Sequence, residues 1–167
     1  MKYSIYYESK TGNTKLLAEK AYDILKNNIV KFEEYKDNYI DNNEDIILVG
    51  FWTDKGSAAD NIKKLLSKIE NKKIILFGTA GFMSNKEYYN KIINNIKKDI
   101  NDSCEVIDYY MCQGKMGIGI RKRYEKSLDV NPNDENIKGM INNFDNALTH
   151  PDKDDLKGFE GLLNKYI

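Results

Sequence analysis

Short apolar runs alternate with helix-patterned stretches through the first two thirds of the chain. That alternation restricts the fold more than any single residue does. Residues 2–7 (KYSIYY) have strand composition and stop at the breaker Thr11-Gly12-Asn13. Leu16, Leu17, Ala21, Ile24 and Leu25 then recur at helical spacing. Ile29 to Phe32 is a short strand candidate, and residues 33–44 read as a polar connection. Residues 45–51 (DIILVGF) and 73–78 (KIILFG) are nearly continuous apolar runs, as suits strands covered on both faces.

Between these two runs, residues 58–69 place Ile62, Leu65, Leu66 and Ile69 on one helical face. Ser84 and Glu87 have capping-box spacing before a helix carrying Ile92, Ile93, Ile96 and Ile100. Residues 104–110 make a fifth strand. The rest reads as helical: a short segment near 120–128, one opened by Asn131-Pro132 with Asp134 completing the cap spacing, and one after Pro151 bearing Leu156, Phe159, Leu162 and Leu163.

This pattern predicts an α/β fold, a doubly wound five-stranded parallel sheet with helices on both faces. Right-handed crossovers favour strand order 2-1-3-4-5. A chain of 167 residues fits one domain over 1–167, with a core at 1–110 and a helical C-terminal segment at 111–167. Ligands of such sheets sit beyond the carboxyl ends of the strands, where the order reverses. Function is therefore expected in residues 8–14, 52–57 and 79–84.

The first of these loops is the most informative. Ser9, Lys10, Thr11, Gly12, Asn13 and Thr14 join the first strand to the first helix. Hydroxyls surround a glycine there, and the free amides of a helix start face the same hollow, which suits a phosphate. The spacing is neither G-x-x-x-x-G-K-[ST] nor G-x-G-x-x-G, which excludes the nucleoside-triphosphatase loop and the dinucleotide fingerprint. A polar turn with a good N-cap is the alternative reading of these residues.

In this loop the chain resembles the flavodoxin family, whose phosphate loop reads [ST]-x-T-G-x-T. Ser9, Thr11, Gly12 and Thr14 fill each specified position. The resemblance covers about residues 1–110. It implies a flavodoxin-like fold and one non-covalent FMN, its phosphate in this loop and its ring between the next two.

In the second loop, Trp52 offers a flat apolar face for the ring, with Thr53, Asp54, Lys55 and Gly56 following. Family members often flip a peptide here on reduction so that a carbonyl meets the flavin N5–H. Gly56 holds that position in this chain. Lys55 departs from the usual small or acidic neighbours of the ring. Trp52 also reads as a hydrophobe capping the core. The third loop supplies Thr79, Ala80, Gly81 and Phe82, small residues that let the backbone approach the flavin edge. Phe82 stands where the family commonly has its second stacking aromatic, or else packs under the next helix.

Other residues carry less. Cys104 and Cys112 make no disulfide framework, and Cys112, although near the expected flavin face, reads as an inert buried thiol. One histidine and two cysteines eight apart match no metal spacing, and His150 before Pro151 reads as a turn residue. The tyrosine pairs at 6–7, 88–89 and 109–110 read as packing. Arg121-Lys122-Arg123 reads as a solvated helix face rather than a phosphate site, with a docking role as the alternative. A receiver domain is disfavoured, because Gly50, Phe51 and Trp52 stand where its phosphoacceptor aspartate should end the third strand.

The formal net charge is zero, which favours neither nucleic acid nor membrane as a partner. A start that passes directly into a strand, with no apolar run of membrane length, points to the cytoplasm. The expected function is an FMN-binding electron shuttle to a cytoplasmic partner enzyme, as monomer or homodimer, with no catalytic residue of its own. The alternatives are an NAD(P)H- or quinone-linked FMN reductase on the same fold, or an accessory redox subunit of a larger reductase. Carriers of the family are strongly acidic, so a neutral chain requires either a local acidic patch or a different kind of partner.

Overall fold

A computed structural model describes residues 1–82 and 85–167. Its sheet is built from β1 (Tyr3–Tyr7), β2 (Ile29–Glu34), β3 (Ile46–Asp54), β5 (Lys73–Ala80) and β6 (Glu105–Gln113), all parallel, in the order β2-β1-β3-β5-β6. A two-residue strand, β4 (Ser57–Ala58), pairs antiparallel with the end of β3. Setting that short hairpin aside, the order is the expected 2-1-3-4-5.

Burial explains why β1, β3 and β5 are so apolar. Tyr3–Tyr7 is buried throughout, as are Ile46–Phe51 and Ile74–Ala80. On one face, Leu17, Ala18, Ala21 and Leu25 of α1 (Asn13–Leu25) pack with Phe159, Leu162 and Leu163 of α6 (Lys153–Leu163). On the other, Ile62, Leu65 and Leu66 of α2 (Asp60–Lys68) meet Ile92, Ile93 and Ile96 of α3 (Lys86–Lys97).

Two glycines let aromatic rings lie flat against the sheet. Gly50 pairs with Phe77 and Phe51 with Gly78. A Cβ on Gly50 would come within 2.4 Å of the Phe77 ring, and one on Gly78 within 2.4 Å of the Phe51 ring. Each ring thus covers the glycine of the neighbouring strand, one on each face of the sheet.

Several boundaries differ from the sequence reading. β3 runs past its apolar stretch to Asp54, because Lys55 (φ 48°) and Gly56 (φ 77°) form a tight turn with two positive φ angles that leads into β4. The cap of α3 is Asn85, whose side chain accepts from the amides of Glu87 (2.9 Å) and Tyr88 (3.4 Å). Ser84, expected as that cap, lies outside the described residues. Asp134, with its carboxylate on the amides of Asn136 and Ile137, is itself the cap of α5 (Glu135–Ala147), so Pro132 falls before the helix. α4 (Ile118–Val130) has no buried residue and packs chiefly against α5. Among the described residues, no helix is long and apolar enough to cross a membrane.

Candidate functional site

The parallel strands all present their carboxyl ends to one edge of the sheet, and a cleft of about 640 Å³ opens there. That volume falls within the usual range of small-molecule sites. Of the residues expected to hold the cofactor, Lys10, Thr11, Asn13, Trp52, Thr53, Lys55, Gly56, Thr79, Ala80, Gly81 and Phe82 line it. Ser9, Gly12, Thr14 and Asp54 do not, and each has an identifiable place behind or beside the wall.

The loop before α1 is shaped as an anion nest. Gly12 takes a left-handed conformation (φ 88°) directly ahead of the helix. Among the described residues, the amides of Thr11, Gly12, Asn13 and Thr14 donate to no protein acceptor. A Cβ added to Gly12 would meet nothing within 4 Å. No acidic residue stands in the first turn of α1 to oppose an anion at its positive end. The hydroxyls are not all directed into the hollow. Ser9 Oγ accepts from the amide of Lys15 (3.2 Å), and buried Thr14 donates to the carbonyl of Phe51 (3.1 Å). These two fix the loop rather than face the cleft.

The second wall is the hairpin. Trp52 and Thr53 end β3 on the cleft side, while Asp54 pairs with Ser57 across the turn. The Lys10 ammonium lies 4.6 Å from the centre of the Trp52 ring, a cation–π contact that spans from the phosphate loop to the hairpin. Gly56 offers its carbonyl to Asn95 Nδ2 of α3 at 3.0 Å. The hydroxyl of Thr53 is buried and has no hydrogen-bond partner among the described residues. An unpaired polar atom at a cleft wall fits a ligand that carries its own donors and acceptors.

The third loop and a fourth one hold each other. The Gly114 amide donates to Ala80 O (2.9 Å), and the Gly81 carbonyl accepts from Gln113 Nε2 (3.1 Å) and Asn143 Nδ2 (3.0 Å). Asn13 Nδ2 donates to Lys115 O (2.8 Å), which ties the phosphate loop to the same segment. A side chain on Gly81 would strike Met116, and one on Gly114 would strike Asn13. Phe82 is exposed and makes an edge contact with Tyr88.

This fourth wall was not among the expected site residues. Gly114, Lys115, Met116 and Gly117 follow β6, and Ile120, Arg123 and Tyr124 of α4 continue it. The two glycines bracketing Lys115-Met116 at a strand's carboxyl end were a signal available in the sequence. Arg123 is exposed, as the solvated-face reading expects, and also lines the cleft. Its neighbour Arg121 instead pairs with Asp145 (2.9 Å) and with Glu125, which hold that guanidinium firmly charged.

Cys112 is buried beneath this region, and burial pushes its thiol well above the ordinary range, with Asp155 and Asp152 adding to the effect. An un-ionised thiol is a poor nucleophile, in keeping with the inert reading. His150, Asp152 and Asp155 lie together, but their contacts are those of a helix cap. Asp152 accepts from the amides of Asp154 and Asp155, and His150 Nδ1 sits 2.6 Å from Asp155.

The residues present suit a flavin mononucleotide: free amides for a phosphate, an indole for a ring, small residues at a ring edge and an unpaired hydroxyl. Comparisons with known proteins agree on the architecture. The model of the flavodoxin domain family matches residues 4–164. A flavodoxin-like domain-containing protein, BilS, of Clostridium symbiosum is 40% identical, with 98% of this chain and 94% of that protein aligned. Oxidised flavodoxin 2 of Bacillus cereus superposes with a TM-score of 0.60 over 97% of this chain and 94% of its own, at 15% identity. A flavoprotein of Lactobacillus acidophilus, solved in complex with FMN, gives 0.53 over 66% of this chain and 93% of its own, at 24% identity. The match over nearly its whole length, together with a relative of such identity, places this chain in the flavodoxin family.

Proposed function

We propose that this protein binds one FMN in the cleft and carries electrons between it and a partner enzyme in the cytoplasm. The observation that carries this reading is the nest of free amides at Thr11–Thr14, set at one end of a cleft whose other walls are Trp52, the 79–82 loop and α4. Bound FMN supplies the redox chemistry, and the protein positions it. The amides receive the phosphate, Trp52 receives the ring once Lys10 leaves its face, and the Thr53 hydroxyl gains a partner. Family membership and the FMN complex of the Lactobacillus acidophilus neighbour support the choice of cofactor.

Anaerobic reductive titration of the FMN-loaded protein, followed by absorbance, tests the shuttle. A one-electron carrier accumulates a long-lived half-reduced state. Direct two-electron bleaching, together with steady NADPH oxidation by the purified protein alone, would overturn it in favour of a reductase. A protein that is colourless as purified and refuses added FMN would remove both readings.

A further inference from the structure

The cleft is unusual in the charges it presents. Four of its lining residues are cations, Lys10, Lys55, Lys115 and Arg123, and none is a carboxylate. Among the described residues, none of these four forms an ion pair. Some cations elsewhere are neutralised, Lys20 by Glu160, Lys68 by Asp37, Lys72 by Asp41, Arg121 by Asp145 and Lys165 by Asp108, whereas no carboxylate shares the wall of the cleft. In a chain of zero net charge, the charged residues lining this one opening are thus all positive.

A phosphate accounts for part of this. Lys10 adjoins the nest, with its ammonium over Trp52, and Lys115 is tied to the nest through its carbonyl. Lys55 projects from the tip of the β3–β4 hairpin and Arg123 from α4, and both are exposed. Neither belongs to the phosphate loop or contacts it through a hydrogen bond. Two large apolar side chains are exposed beside them, Phe82 at 44% and Ile118 at 62%. Exposed apolar groups with a charged rim have the composition of a protein-docking face. Opposite charge across such a face steers encounter and selects the partner.

From this arrangement we infer that the protein docks its electron-transfer partner through the mouth of the cleft, and that the partner's docking face is acidic. The inference gives the partner's polarity and rests on the shuttle reading. It resolves the alternative left by the neutral composition: the site carries a basic rim, not a local acidic patch, so the partner differs from the basic one an acidic carrier requires.

Two measurements test it, one with FMN and one without. The FMN-loaded protein is reduced anaerobically with dithionite, freed of excess reductant, and mixed with ferricyanide. Each ferricyanide takes one electron from the flavin and becomes ferrocyanide. The trivalent anion should react several-fold more slowly as salt rises from about 0.01 M to about 0.1 M, over which screening shortens from about 30 Å to about 10 Å. The cationic acceptor tris(phenanthroline)cobalt(III) should respond in the opposite sense. The double variant Lys55→Glu with Arg123→Glu, checked for folding by far-ultraviolet circular dichroism, should reverse both slopes.

In the second measurement, ¹⁵N-labelled protein without FMN is titrated with poly-L-glutamate and with poly-L-lysine. Poly-L-glutamate should shift amides at 53–56 and 115–124, and the double variant should lose that response. Poly-L-lysine acting on these amides, poly-L-glutamate acting elsewhere or nowhere, or unchanged salt slopes in the double variant would each overturn the inference. Failure to retain FMN would reject the shuttle reading, and the second measurement would still decide the polarity of the face.

Discussion

Thr53 and Gly12 separate holding a cofactor from holding the fold. Leaving a buried hydroxyl unpaired costs about 1–3 kcal/mol, and among the described residues the Thr53 hydroxyl has no partner. Thr53→Val keeps the shape and removes the unpaired atom. The FMN-free variant should therefore melt at or above the parent temperature, while its FMN affinity falls, by up to about tenfold for a lost hydrogen bond of roughly 1.4 kcal/mol. Thermal melts with and without FMN check both signs, and an affinity equal to the parent's would place the hydroxyl outside the flavin site. Gly12→Val acts differently. It puts a β-branched side chain at the centre of the nest, at a residue whose φ of 88° such a side chain resists. FMN retention, followed by quenching of flavin fluorescence, should be lost with helix content nearly intact; unchanged affinity would reject the phosphate assignment.

Elements are where the sequence was most and least legible. Continuous apolar runs such as IILVGF at 46–51 and IILF at 74–77 announced buried parallel strands because nothing in them tolerates water. Helix starts were less legible. Ser84 and Asn85, or Asn131 and Asp134, are equivalent cap chemistry in a string of letters, and only backbone geometry selects Asn85 and Asp134. Asp134→Ala should cost about 1 kcal/mol in urea denaturation, as loss of a cap does. The reach of β3 into a hairpin was hidden because a tight turn with two positive φ angles was filled by Lys55-Gly56, a pair that carries no Asn-Gly signature. The phosphate loop was readable because its motif is local, whereas the fourth wall required knowing where β6 and α4 stand in space. Gly50 gives the sharpest test at this scale. A methyl there collides with the Phe77 ring and with Tyr7 Cβ at 2.8 Å. Gly50→Ala should therefore lose about 1–3 kcal/mol, the range for overpacking a core.

At the scale of the molecule, the last helix decides how much of the chain is needed to keep the cleft in shape. Phe159 of α6 is fully buried, stacked on Tyr110 at 5.2 Å and tilted against Phe77 at 5.3 Å. Tyr110 also donates to Asp155 O at 2.6 Å. Strand β6 thereby links α6 to the fourth loop, since Tyr110 and Gly114 are four residues apart on one stretch of backbone. Truncating a buried phenylalanine typically costs about 3–5 kcal/mol, against a total of about 5–15 kcal/mol for a domain. Phe159→Ala should remove a large share of the stability of the FMN-free protein. A ligand that binds only the folded state returns about 2.7 kcal/mol at a hundred times its dissociation constant. Such an excess of FMN should then recover much of the lost urea midpoint in the variant, although position 159 is not among the residues lining the cleft. A loss below about 1 kcal/mol, well under the burial value of such a side chain, would show that α6 is an appendage and that the five parallel strands carry the cleft without it.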